Sequence, residues 1–168
     1  MQAETERKIT ATMTTSPPCP PKTLNRSAHA SFLGRHLLSL PAPYISLDAS
    51  RPWLTYWTLH GFDLLGIGLD DEMKRRAIET VFSFQHPGGG FCGGPPPGHQ
   101  AHLLPTYASV MSLAILCGDH SKKTGGTSEM GKKAWARLDR KGMYEFFMKC
   151  KRPDGGFVVC EGGEVDVR

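Results

Sequence analysis

The sequence predicts an all-α fold built from helical repeats, and two observations support this prediction. The first is a recurring loop: KRPDGGF at 151–157 repeats the pattern of QHPGGGF at 85–91 after 66 residues, and a second Gly-Gly pair follows each copy. The second is the alternation of amphipathic and wholly apolar segments around these loops. Recurring Pro/Gly-rich turns are typical of helical repeats, whose units bury their apolar faces against each other. We therefore expect two layers of helices.

Composition favours a soluble globular domain over other classes of protein. The chain has 168 residues, 39% of them hydrophobic and 21% charged, which fits one domain. No segment reaches the roughly 18 apolar residues of a membrane span, and the N-terminus lacks the apolar core of a signal peptide. The net charge of +4 comes partly from residues 122–141, so we expect no nucleic-acid binding.

The cysteines and glycines indicate neither a disulfide framework nor a cofactor site. Five cysteines without any close pair suggest a reducing compartment, so we expect a cytoplasmic location. Cys92, His99 and His102 lack the paired spacing and fourth ligand of a structural zinc site, and we expect no metal site there. The loop at 85–107 lacks the Lys-Ser/Thr ending of a phosphate-binding loop, so its glycines are interpreted as turn formers.

The N-terminal elements follow from proline positions and helical spacing. Residues 1–25 are polar and include four prolines at 17–21, which predicts a disordered or extended arm. The domain then runs from 26 to 168. A short helix is expected from Ser27 to the prolines at 41–43.

The next helix combines a start signal with an aromatic face. Ser50 can cap it, and its first turn contains Pro52. One face contains residues at i, i+3, i+4, i+7 and i+11: Trp53, Tyr56, Trp57, His60 and Leu64. Core packing is the common role of tryptophans at helical spacing, and the alternative is that the two indoles line a pocket for an apolar ligand.

Three further helices and an insertion complete the pattern. An amphipathic helix is expected at 71–85, capped by Asp70 or Asp71, and an apolar one from Pro105 to Gly118, which must be buried in the inner layer. Residues 119–137 are rich in Lys, Gly and Ser, which predicts a surface loop insertion. A last amphipathic helix is expected at 139–151.

The second loop aligns with the first if two residues are omitted. Asp166 and Arg168 then correspond to His102 and Leu104, at the point where an inner helix would begin. Neither this helix nor a polar capping unit is present, so we expect a fragment or a truncated gene product.

Three motifs in order carry a family resemblance. LDASRPWLTYW (47–57), the PxGGF loop with HLLPTY (102–107), and PDGGF…GGEVDVR (153–168) together resemble the N-terminal part of protein farnesyltransferase β subunits, in the protein prenyltransferase β-subunit family. The PxGGF repeat is shared with geranylgeranyltransferase β subunits and, more distantly, with terpene cyclases. The other two motifs indicate the farnesyl enzyme. The resemblance covers 27–118 and 139–168.

The resemblance implies an incomplete α-α toroid, part of a barrel of inner and outer helices. In the family the central funnel binds farnesyl diphosphate and the C-terminal CaaX tail of a protein substrate. A zinc ion holds the substrate cysteine as a thiolate, which attacks the first farnesyl carbon as diphosphate leaves. The β subunit forms a heterodimer with an α subunit.

Individual site residues follow from the same resemblance. Trp53 and Trp57 match tryptophans that line the pocket for the isoprenoid and the a-a-X side chains. Arg168 matches an arginine near the isoprenoid and the substrate's C-terminal end, where a guanidinium suits a carboxylate.

The pocket for the X side chain departs from the family pattern. Ser50, His102 and Pro105 match residues around that side chain. Leu104 replaces the small residue usual in the motif, which should shrink the pocket, and the three prolines at 95–97 alter the preceding loop.

Catalytic residues are expected to be missing. The family's Asp, Cys and His zinc ligands and most of its diphosphate-binding residues lie downstream of GGEVDVR, so no catalytic or metal-binding residue is assigned here. The chain alone should then be inactive. The alternatives are a truncated non-catalytic chain that only binds the α subunit, and a geranylgeranyltransferase-type β subunit.

Overall fold

A computed structural model describes residues 2–15, 23–118 and 126–166. Within these ranges the fold is all-α apart from one short hairpin, which confirms the predicted class. In chain order the elements are α1 (Gln2–Thr15), α2 (Arg26–Leu38), a 3₁₀ segment (Ala42–Ser50), α3 (Arg51–Leu64), α4 (Asp71–Phe82), α5 (Leu103–Cys117), α6 (Glu129–Arg137), α7 (Arg140–Cys150), β1 (Phe157–Val158) and β2 (Val165–Asp166).

Short polar side chains cap four of the helices. Each accepts a hydrogen bond from the backbone N–H three residues later, which satisfies one of the unpaired donors of the first turn: Asn25, Asp70, Ser128 and Asp139. Ser50 occupies the cap position of α3 but makes no side-chain cap hydrogen bond, so that predicted role is wrong. Its ψ of 20° is far from the extended backbone of a normal cap, because the 3₁₀ segment runs directly into the helix.

Helix α5 lies at the centre of the fold and packs against α3, α4 and α6. Because it has no charged side chain, it can bury most of its surface, as predicted for an inner helix. Each large apolar side chain fully buried in this core contributes about 1.5–3 kcal/mol. The main core cluster consists of Leu59, Ala77, Ile78, Val81, Phe84, Phe91, Leu113, Leu116, Cys117, Ala134 and Leu138.

The two repeated loops form the same kind of turn, although Gly90 has a φ of 71° and its counterpart Gly156 has no positive φ. Antiparallel bridges join the ends of each copy, at 85 with 91 and at 151 with 157. Gly89 and Gly155 take the same position in the two turns, with φ of 93° and 89°. In both copies this glycine N–H donates to the carbonyl three residues earlier, at 2.9 and 3.1 Å.

The strand pairs after these turns show where the copies differ in length. Cys92 pairs with Ala101 in the first copy, and Val158 pairs with Val165 in the second. The second copy is therefore two residues shorter between its paired positions, as the sequence alignment predicted.

The N-terminal prediction of a disordered or extended arm is wrong for residues 2–15, which form α1. All four prolines lie after this helix, and the helical residues include no Pro or Gly. An ion pair between Glu4 and Lys8, 3.0 Å apart, links successive turns. Residues 16–22 lie outside the described ranges.

The predicted loop insertion at 119–137 is also wrong in its second half, where α6 forms. Ala134 is buried in the main core, and Trp135 packs against it. Arg137 pairs with Glu79 of α4, with Nη2 2.9 Å from Oε2, and lies over the Phe82 ring. The sequence did not indicate this helix, because its few apolar residues lie among lysines and glycines. Residues 119–125 lie outside the described ranges.

Candidate functional site

The predicted aromatic face of α3 lies opposite its buried face. Leu54, Leu59 and Phe62 fill the core side of the helix. Trp57 is 56% exposed, so core packing, the common role, is wrong for this tryptophan. Both faces of α3 are apolar, and the buried one contributes Leu59 to the main core cluster beside Leu113 and Leu116 of α5.

The aromatic side chains of this face contact one another and one ring from α5. We call this set of five residues the aromatic cluster: Trp53, Tyr56, Trp57, His60 and Tyr107. Trp53 lies between Trp57 and Tyr107, with ring centroids 5.5 and 5.8 Å away. Exposed aromatic rings grouped in this way offer a rigid apolar surface to a ligand.

An apolar cavity of about 470 Å³ opens beside the aromatic cluster. Its volume lies within the range of roughly 300–1,000 Å³ usual for ligand pockets. The floor is continuous with a second core cluster around Phe146 and Cys150. Six apolar or aromatic side chains and one carboxylate line it: Trp53, Leu103, Leu104, Tyr107, Phe147, Phe157 and Asp166.

The start of α5 is fixed to both repeated loops. His102 caps the helix, with Nδ1 accepting from the Leu104 N–H at 3.2 Å. Thr106 Oγ1 accepts from the Phe91 N–H of the first loop at 2.9 Å, and Leu103 N–H donates to Val159 O in the second at 2.8 Å. These bonds hold Leu103 and Leu104 in place at the cavity.

The site residues expected from the sequence differ in how they are placed relative to the cavity. Trp53 and Leu104 line the cavity, and Trp57 adjoins Trp53. His102 and the buried Pro105 belong to the start of α5 and support the lining without being part of it. Ser50 lies at the start of α3 and is not in the lining either. Arg168 lies outside the described residues.

Five lining residues were not predicted: Leu103, Tyr107, Phe147, Phe157 and Asp166. Tyr107 lies one turn after Leu103 and Leu104, so helical spacing could have identified it. Phe157 is the Phe of the second PxGGF copy. Its counterpart Phe91 is 1% exposed, whereas Phe157 is only half-buried and faces the cavity.

Burial and neighbouring groups raise the pKa of several side chains in the described ranges. Desolvation, followed by the neighbouring Tyr107 hydroxyl, raises the pKa of Tyr56. Burial raises the pKa of Cys92 and Cys150, and that of Cys117 to about 11, so these thiols are poor nucleophiles at neutral pH. All cysteines in the described ranges are unpaired by disulfides.

The described ranges do not provide a donor set for a metal ion. Among these residues, no three His, Cys, Asp or Glu side chains come together. The Cys92 thiol instead donates to the His99 carbonyl within its own loop, at 3.2 Å. In the same ranges, no helix is long and apolar enough to cross a membrane.

A family model and individual relatives of known name both match this chain. Residues 24–168 match the family model for the prenyltransferase alpha-alpha toroid domain. The chain is 37% identical to the protein farnesyltransferase subunit beta of Schizosaccharomyces pombe over 88% of its own length, and 38% identical to that of Arabidopsis thaliana over 86%. It spans only 34% and 27% of these two relatives.

A solved structure shares the fold. The match is Candida albicans protein geranylgeranyltransferase-I complexed with GGPP, with a TM-score of 0.64 and 19% sequence identity. It covers 86% of this chain and 42% of the other.

Proposed function

Because the chain belongs to the prenyltransferase α-α toroid family, we propose that it is the N-terminal part of a protein farnesyltransferase β subunit. The observation that supports this most directly is the apolar cavity beside the aromatic cluster. Its lining suits a long apolar chain, since a single carboxylate is the only charged group among the lining residues described. Relatives named as farnesyltransferase β subunits match over most of the chain.

In this proposal the substrates are farnesyl diphosphate and a protein with a C-terminal CaaX motif. Trp53 and Tyr107 contact the apolar farnesyl chain, and Trp57 extends this surface towards the peptide. Leu104 narrows the space for the X side chain. The described residues thus bind and orient substrates and exclude water, and the active enzyme is a heterodimer with an α subunit.

We further propose that this chain alone does not transfer a farnesyl group. The described residues include no donor set for zinc, the ion that would hold the substrate cysteine as a thiolate. The alternative role for the chain as given is a non-catalytic polypeptide that only binds the α subunit. Purified chain mixed with an α subunit, zinc, farnesyl diphosphate and a CaaX peptide should give no product and bind no stoichiometric zinc. Product formation would contradict this part of the proposal.

The binding function can be tested on the purified chain. Farnesyl diphosphate should quench tryptophan fluorescence saturably, and Trp53→Ala should weaken its affinity at least about tenfold, because a buried aromatic contact is lost. Trp135→Phe is the matched control, since Trp135 lies in α6 among the main core residues. Unsaturable quenching, or equal affinity in the Trp53 variant, would contradict the proposed function.

The same titration with geranylgeranyl diphosphate separates the two kinds of prenyl chain. Tighter binding of the shorter chain is expected from the farnesyltransferase relatives. The reverse order would support a geranylgeranyltransferase-type β subunit.

A further inference from the structure

A second groove lies where α2 and the 3₁₀ segment meet α3 and α4. It consists of two adjoining spaces of about 480 and 110 Å³. We call them together the N-terminal groove, and they share four lining residues: Leu40, Leu54, Thr55 and Thr80. None of the lining residues of this groove lines the cavity beside the aromatic cluster. The groove is therefore a separate surface.

The polar groups in the lining of the larger space are already satisfied within the chain. Thr55, Thr80 and Ser83 each donate a hydroxyl hydrogen bond to a backbone carbonyl three or four residues earlier. Arg51 pairs with Asp48, with Nε 2.8 Å from Oδ1. Because these groups need no external partner, the larger space suits apolar side chains.

Large apolar side chains surround the groove and are open to solvent. Ile45 is 81% exposed and Leu38 is 62% exposed, and Leu40 and Leu47 are each 40% exposed. All four line the groove. Exposed apolar side chains grouped around a concave surface mark an interaction site, whereas single ones need no explanation.

The smaller space adds positive charge to this apolar surface. His36 of α2 and Arg76 of α4 line it, and its described lining includes no acidic residue. Arg76 forms no ion pair with any residue that the structure describes, whereas its neighbour Arg75 is paired within α4. The sequence also has no Asp or Glu between Glu6 and Asp48. A partner group at this end of the groove should therefore be negatively charged.

We propose that the N-terminal groove binds a segment of a partner protein that combines carboxylate side chains with large apolar ones. The carboxylates pair with Arg76 and His36, and the apolar side chains fill the larger space. A guanidinium can hold a carboxylate through two parallel hydrogen bonds. The concave shape favours a peptide segment over a membrane, because separate side chains can reach the lining below the exposed rim and a flat bilayer cannot. This inference does not depend on the proposed function, since the two sites share no residue.

The test selects ligands on the purified wild-type chain from a displayed library of random peptides of about 16 residues. An excess of the soluble double variant Ile45→Asp/Arg76→Glu removes peptides that bind elsewhere. The selected peptides should be enriched in Asp and Glu and in large apolar residues. Their affinity, measured by fluorescence anisotropy, should fall at least about tenfold in the double variant.

Single substitutions separate the charge from the fold. Arg76→Gln should lower the affinity about three- to tenfold and weaken its dependence on salt, because one charge-assisted hydrogen bond is lost. The matched control is Tyr144→Asp/Lys133→Glu, which makes the same kind of change at exposed positions on α7 and α6 and should leave the affinity unchanged. Circular dichroism melting shows whether each variant is folded. If the double variant melts early, the comparison with Arg76→Gln decides.

Several outcomes would overturn the proposal. Selection that enriches no peptide, or peptides without acidic residues, would do so, as would equal affinity for the wild type and Arg76→Gln. Two other occupants of the groove give results of their own. Co-sedimentation with phosphatidylserine vesicles that the double variant loses would assign the surface to a membrane. A dimer in sedimentation velocity that the double variant loses would assign it to a second copy of the chain.

Discussion

Gly89 in the first repeated loop lies directly against the carbonyl oxygen of Gly142 in α7. A Cβ atom at position 89 would overlap that oxygen and lie 3.0 Å from Gly142 Cα. Gly89 also has a φ of 93°, which side chains rarely tolerate. The counterpart Gly155 has a similar φ of 89°, but a Cβ there would meet no atom within 4 Å. A comparison of the two positions thus separates the effect of close packing from the effect of backbone conformation.

Gly89→Ala should therefore destabilise the chain more than Gly155→Ala. The first substitution combines backbone strain with overpacking and should lower the free energy of unfolding by about 3–5 kcal/mol. The second has only the strain, about 1–2 kcal/mol. Urea denaturation followed by circular dichroism measures both values. Equal losses would show that the contact with Gly142 contributes nothing.

The ion pair between Glu79 and Arg137 should make stability depend on acid pH. Hydrogen bonding to Arg137 lowers the pKa of the Glu79 carboxyl. The stabilisation is therefore fully present above the ordinary pKa of 4.5 and is lost as the pH falls towards the folded value. Both side chains are about half exposed, so Glu79→Gln should cost less than about 1 kcal/mol at pH 7.

Denaturation at several pH values tests this. The difference between wild type and Glu79→Gln should shrink below pH 4.5. Glu72→Gln is the control, because Glu72 pairs with Arg75 inside α4 and links no two helices. A difference that stays constant down to low pH would argue against the ion pair.

Tyr56 should ionise at higher pH than an ordinary tyrosine. Desolvation raises its pKa first, and the charge of the neighbouring Tyr107 adds to this. Because the neutral form is favoured in the folded state, the associated stability is present below pH 10 and decreases as the pH rises beyond it. Tyr107→Phe should lower the pKa of Tyr56, seen as earlier tyrosinate absorbance near 295 nm. Tyr144→Phe is the control variant. An unchanged titration of Tyr56 in the Tyr107→Phe variant would show that the two tyrosines are not coupled.

Native thiol labelling should follow burial. Cys160 is partly exposed, whereas Cys92, Cys117 and Cys150 are buried. Among these four cysteines, iodoacetamide at pH 8 should alkylate Cys160 first, and Cys117, with a pKa of about 11, should remain unmodified longest because so little thiolate is present. Peptide mass spectrometry at increasing times measures the order. Early labelling of Cys117 would show that the core around α5 opens readily.

Local signals explain which parts of the fold could be predicted. The spacing of apolar residues, the Asp70 cap and the Pro-Gly-Gly turns act over a few residues, and the helices they predict are present. Helix α6 depends on tertiary contact instead. Gly131 lies so close to Cys117 that no side chain would fit, and this fit cannot be recognised from a Lys- and Gly-rich segment.

The candidate site was predictable only in part for a similar reason. Helical spacing grouped Trp53 and Trp57 correctly but could not decide which face of α3 meets the core, since Leu59 and Phe62 form a second apolar face. Phe147 and Phe157 reach the cavity from elements about 90 residues further along the chain. Only the packing of the second loop against the start of α5 brings them there.

The histidine cap of α5 also determines the chemical form of an imidazole ring. Because Nδ1 of His102 accepts a hydrogen bond from the Leu104 N–H, that nitrogen carries no proton. The neutral ring must then have its proton on Nε2, a single tautomer chosen by the helix backbone. The hydrogen bond that starts the inner helix thus also makes Nε2 of His102 an N–H donor next to Leu104.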